Sequence, residues 1–222
     1  MGVTEPRYPN RFMNGMIQGV EDTVGASACH ALLHMTDIEP YTLELISDSL
    51  DKTVPFHHLA ALNHAFIKMY GPRGGSNIAR RVGWSMFGYS LENWGILKGV
   101  TSPSFKQLPF EQQVFYSLSG LANLINVHTD QVCHVSHIPS GYQFTTPNSP
   151  FCWEQTATHP ICHVMVGVLE AHLRWAVNHT FAISEIQCRA TGSAFCTFFI
   201  PKDPIILPTR PYDLTQPTTA HR

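Results

Sequence analysis

A chain of 222 residues with 44% hydrophobic content can bury a full core, and its length suits one main domain. Charged residues make up 14% of the chain and the formal net charge is -2, so no field of one sign points to nucleic acid or an anionic membrane surface. The longest apolar runs fall far short of the roughly 18 residues that a membrane span needs, and the opening MGVTEPRYPNRF lacks the apolar stretch of a secretory signal.

These features make a cytoplasmic protein with a small or apolar partner the expectation. Six cysteines in that compartment stay reduced, which favours free thiols or metal ligands over disulfides.

In chain order, residues 1–14 read as an N-terminal extension. Residues 11–35 carry Phe12, Met16, Val20, Val24, Ala28, Leu32 and Met35 at the three-to-four spacing of a helix face, interrupted by Gly15, Gly19 and Gly25. From Val54 to Tyr70 the pattern repeats with Phe56, Leu59, Leu62, Phe66 and Met69, and Gly71-Pro72 ends it. A third helix is expected from Asn77 to about Leu97.

The intervening run MYGPRGGSNIARRVGWSMF lacks the phosphate-loop and dinucleotide fingerprints, so a helix-to-helix turn with solvated arginines outweighs the rival reading, an anion site on backbone N–H groups at a helix N-terminus. A fourth helix over Pro109 to His128 turns Val114, Leu118, Leu121 and Ile125 to one side. QVCHVSHI and GYQFTT follow as two antiparallel strands around Pro139-Ser140-Gly141.

A fifth helix is expected from about Pro160 to Asn178. TFAISEIQC and FCTFFI close the domain as a hairpin around Arg189 to Ala194, where Gly192 is free to take a positive φ. Past Pro201 the proline-rich tail, 202–222, is expected to be extended or disordered.

Near the C-terminus, Cys162, Glu185, Cys188 and Cys196 offer three soft thiolates and a carboxylate, a donor set suited to Zn2+. Spacing alone leaves two readings open, because cysteines also fill buried space without any ligand role. Strand geometry adds a condition: Glu185 and Cys188 can reach one ion only across a bulge or a strand end. Cys152, between Pro150 and Pro160, is placed in a loop outside this set.

The run CHVMVGVLEAHLRWAVNHTFAISEIQCRATGSAFCTFFI resembles the 4-vinyl reductase domain family, with its helix, E-x-x-C strand, glycine turn and final C-x-F-like strand. The upstream run MYGPRGGSNIARRVGWSMF is similar to the YG-x-R-G segment of that family, so the likeness covers roughly 15–201. The same domain serves as the zinc-containing sensor of aromatic-responsive activators, and the resemblance places the ligand positions on Cys162, Glu185, Cys188 and Cys196. It implies an α+β fold of several helices on an antiparallel sheet, similar to that of vesicle-tethering subunits of the TRAPP type. It also implies a homodimer formed through helices.

Functionally, the resemblance implies a zinc-stabilised domain that binds a hydrophobic small molecule. A tetrapyrrole precursor of (bacterio)chlorophyll, carried to or presented to pigment-biosynthesis enzymes, is the leading expectation. Two alternatives stay open: a divinyl-tetrapyrrole reductase using an external electron donor, and a ligand-sensing regulatory module. The sequence contains no nicotinamide or flavin fingerprint and no cluster-type cysteine run, so an unaided reduction is not expected.

Candidate pocket residues are Trp84, Phe87, Phe115, Tyr116 and His134, although aromatics at helical spacing more often fill core. Cys133, His134 and His137, with His128, form a second group with ligand chemistry. A half-exposed strand with ordinary polar histidines is the competing reading. His57, His58 and His64 at a helix start are weighed the same way.

Overall fold

The computed structural model describes residues 5–36, 38, 47–90, 97, 99–100 and 102–205. The tail beyond residue 205 and the expected helix end near Leu97 lie largely outside them.

Arg7–Pro9 forms β1, which pairs antiparallel with β2, Lys52–Pro55. Residues expected to be an extension therefore belong to the core: Tyr8 and Phe12 are buried, and Tyr8 packs edge-on against Phe56 at 5.5 Å. The helical run expected over 11–35 is two helices, α1 (Asn10–Val24) and α2 (Ala26–His34), broken where Gly25 takes a φ of 83°.

The next two expected helices are joined. Helix α3 runs over Phe56–Ser90 with a kink at Gly71, whose φ of 73° no helix interior accepts. Pro72 then opens the second half in the first-turn position where its missing N–H leaves no bond unmade. The Gly-Pro pair thus redirects the chain and restarts the helix about five residues before Asn77. A short α4 (Pro103–Lys106), capped by Ser102 accepting from the Phe105 amide, leads to α5, Phe110–His128.

Strands β3 (His134–Ile138) and β4 (Gly141–Thr146) pair around Pro139-Ser140. Helix α6, His163–Val177, ends at Asn178 in the left-handed conformation. β5 (Ser184–Gln187) and β6 (Cys196–Pro201) complete an antiparallel sheet in the order β3-β4-β6-β5. β4 alternates towards the core with Tyr142, Phe144 and Thr146 buried, as a sheet with one covered face requires.

The core lies between α1, α3, α5 and α6. α3 and α6 approach backbone to backbone at Gly83 and Gly167: a Cβ on either would fall on a carbonyl oxygen of the other helix, Val164 or Arg80 respectively. Beside that crossing the buried Glu170 accepts from Arg80 Nε at 2.6 Å, from Arg80 Nη2, and from the Trp84 indole N–H at 3.2 Å. The pairing lets α6 bury a carboxylate, which unpaired would be costly.

His172 on α6 is fully buried, and its Nε2 lies 2.9 Å from the Ser117 carbonyl, to which it donates. Burial pushes its pKa down to about 4. The folded imidazole holds a proton less tightly than the unfolded one. Its contribution is therefore intact above pH 6.5 and erodes as pH falls from 6.5 toward 4, by about 3 kcal/mol in all. Urea unfolding across that range should show this loss in the native chain and a flatter profile in His172→Gln.

Candidate metal centre

Three separate elements carry cysteine thiols to one point. Cys162 caps the N-terminus of α6, Cys188 directly follows β5 at the start of a tight turn over Arg189–Thr191, and Cys196 opens β6. The β5–β6 register shifts between Glu185 and Gln187, which is the irregularity required for side chains three residues apart to face one place.

A fourth thiol joins them. Cys152, at the end of the 3-10 turn Pro150–Cys152, places its Sγ 3.4 Å from Cys196 Sγ. Cys162 Sγ lies 3.8 Å from Cys196 and 4.0 Å from Cys188. All four ligand atoms fall within 4.8 Å of one another, all four residues are buried, and none is in a disulfide.

Four thiolates at zinc–sulfur distance on a tetrahedron are separated by roughly 3.8 Å, so the set fits a single ion of zinc's size and coordination. The surroundings suit sulfur as a ligand. The Arg189 amide donates to Cys196 Sγ at 3.3 Å, Ser149 Oγ lies 3.3 Å from Cys162 Sγ, and the positive end of α6 adjoins Cys162. The Arg189 guanidinium turns instead to the Pro147 carbonyl.

Glu185 sits beside this group and outside it. Its Oε2 accepts from the Cys162 amide at 2.7 Å, while Oε1 is buried with no hydrogen-bond partner among the described residues. Burial, then the nearby Cys188 charge, pushes its pKa up to about 8. The sequence-expected quartet is thus brought together in its three cysteines, and the four-sulfur group has Cys152 where Glu185 was expected. Proline-flanked loops are read as irregular, and only the folded chain reveals that 150–152 packs back against the sheet.

Asn63 was not singled out from the sequence. It is buried on α3, and its Nδ2 donates to the carbonyls of Phe151 and Ile161, both at 2.9 Å. Each of those residues directly precedes a thiol of the cluster, so one side chain fixes both loop entries. Asn63→Ala strands two buried carbonyls and should cost about 2–4 kcal/mol of stability, with weakened metal retention, measured by thermal unfolding with and without a chelator. A lone polar residue in an apolar helix stripe was the available signal.

The expected pocket residues do not converge. Phe115 and Tyr116 line an open cavity of about 230 Å³ with His137 and Tyr142. Phe87 is buried against His172 and Trp175, at 5.5 and 5.7 Å between ring centroids, and Trp84 lies on the outer side of α3 beside Glu170. His134 is exposed on β3. Among the described residues, Cys133, His134, His137 and the histidines of α3 join no group able to hold a metal.

Residues 143–202, which hold all four thiols, match the model of the 4-vinyl reductase domain. This segment, 60 of the 222 residues, carries the similarity to that family. It supplies β4, α6 and the β5–β6 hairpin, the elements that frame the metal centre.

Over a larger span the chain is similar in fold to an H-NOX protein from S. oneidensis in the Fe(II)NO ligation state. The two share 16% identity over 89% of this chain and 99% of that one, with a TM-score of 0.56. A point mutant of T. tengcongensis H-NOX matches at 12% identity over 89% and 100%, with a TM-score of 0.52. A vinyl-4-reductase family protein from Methanocaldococcus jannaschii matches at 16% identity over 58% of this chain and 91% of that one, with a TM-score of 0.34. No curated protein matches the chain in sequence. The expected α+β class therefore takes the form of an H-NOX-like fold around the 4-vinyl reductase segment. None of the described helices is long and apolar enough to cross a membrane.

Proposed function

We propose that the chain is a zinc-stabilised domain for binding a hydrophobic small molecule, with Cys152, Cys162, Cys188 and Cys196 as the ligands. The observation that carries the metal assignment is four buried, unbridged thiols within 4.8 Å. Buried thiolates repel one another and, among the described residues, no lysine or arginine side chain is bonded to them, so a dication supplies the charge the cluster needs.

With four protein donors the ion has no open position, and its role is structural: it ties the 150–162 loop to α6 and the closing hairpin. Glu185 then acts from outside the ion, holding the Cys162 amide. Elemental analysis of the purified chain tests this reading and should find about one zinc per chain.

The Fe(II) ligation of the S. oneidensis relative is a property of that protein, and what this chain shares with it is the fold. The fully buried imidazole, His172, already commits its Nε2 to the Ser117 carbonyl.

The resemblance to the 4-vinyl reductase family supports a tetrapyrrole of the bacteriochlorophyll pathway as the molecule bound, with the chain a carrier or accessory to pigment enzymes, in a homodimer. A ligand-dependent absorption shift on mixing with divinyl chlorophyllide, without formation of the monovinyl product on adding NADPH, is the outcome expected of a carrier. Turnover there would make the chain a reductase.

A further inference from the structure

A groove of about 600 Å³ lies on the flank of the metal centre, within the size range of small-molecule sites. Its walls come from three elements. The second half of α3 contributes Arg73 and Ser76, α6 contributes His163 and Val166, and the β5 end contributes Ile183 and Glu185.

Val166 and Ile183 are buried and give the groove an apolar floor, while the polar groups gather along one rim. The two arginines on that rim differ. Arg80 is committed to Glu170 on the neighbouring helix, whereas Arg73 is exposed and has no acidic partner among the described residues. The kink at Gly71 sets this arrangement, because it starts a new helix at Pro72 and turns its first residues to the groove mouth.

We infer that this groove binds an apolar molecule bearing a carboxylate, with the apolar body on Val166 and Ile183 and the carboxylate on the guanidinium of Arg73. This rests on the reading of the chain as a small-molecule-binding domain, and names where the molecule sits and what class it belongs to. A planar guanidinium pairs with a carboxylate through two parallel N–H donors, a geometry that an alcohol or an uncharged ring cannot use. Apolar contact supplies affinity for the body, and the charged pair selects the acid. Arg80 and Glu170 stay as they are, so the site forms without breaking an existing pair.

The test uses the full, zinc-loaded chain and two fluorescent probes with one ring system, pyrenebutyric acid and pyrenebutanol, read by fluorescence polarisation. The acid should bind roughly five- to tenfold more tightly than the alcohol, as one charge-assisted contact gives. Arg73→Gln, an exposed change that leaves the core untouched, should remove that preference while leaving the alcohol's affinity unchanged. Asn77→Trp, at the exposed lip, should weaken both probes.

An acid preference that persists in Arg73→Gln, or two variants that bind both probes like the parent, would overturn the groove inference and leave small-molecule binding elsewhere standing. Failure of the parent to bind either probe would overturn both. Zinc content measured on the same samples reports on the metal centre independently.

Discussion

Gly167→Ala should destabilise the protein by about 3 kcal/mol or more, because the added methyl group meets the Arg80 carbonyl oxygen and lies 3.1 Å from the Gly83 Cα. The obstacle is backbone on a neighbouring helix, so no rotamer change relieves it and α3 and α6 must separate. Separation strains the Arg80–Glu170 pair and the Trp84 contact that sit beside the crossing. Gly83→Ala meets the Val164 carbonyl from the other side and should cost a similar amount. Gly99→Ala, with nothing within 4 Å of the added carbon, serves as the control and should be nearly neutral. Urea midpoints for the three variants decide the matter, and a native-like Gly167→Ala would show that the helices do not meet at this distance.

Loss of the metal should be the larger effect. Cys196 lies at the centre of the cluster, within 3.4 Å of Cys152 and 3.8 Å of Cys162, and its sulfur accepts the Arg189 amide. Cys196→Ala should release the ion and with it a binding free energy on the order of 10 kcal/mol, comparable to the whole stability of a typical domain. The expected outcome is loss of cooperative unfolding, with the 150–162 loop and the β5–β6 hairpin the first parts to exchange their amide hydrogens. A strong chelator acting on the native chain should reproduce the same pattern. A variant that melts like the parent would show the thiols to be ordinary packing.

Much of the architecture was legible in periodicity. α5 and the β3–β4 and β5–β6 hairpins fall where apolar spacing and turn residues put them. The kink at Gly71 was legible only as a stop, since a Gly-Pro pair ends one helix and begins another with the same two residues. The break at Gly25 was hidden because helical spacing of apolar residues continues across it. Arg7–Pro9 read as an extension because three residues are too few to show strand alternation.

At the site, the spacing of Cys162, Cys188 and Cys196 left packing and ligand roles both open, and the family resemblance grouped them. Cys152 could not be placed with them, because its approach depends on Asn63, far upstream, holding the loop carbonyls. Nor could the groove beside the ion be read in advance, since its rim joins α3 to β5 across about a hundred residues of chain.

Metal content in two variants decides which residue is the fourth ligand. Zinc per chain, measured by elemental analysis after exhaustive dialysis, should be about one for the parent. It should stay so in Glu185→Gln, whose side chain can still accept from the Cys162 amide, and should fall steeply in Cys152→Ser. Zinc retained in Cys152→Ser and lost in Glu185→Gln would contradict the four-thiolate centre and move the fourth bond to the carboxylate.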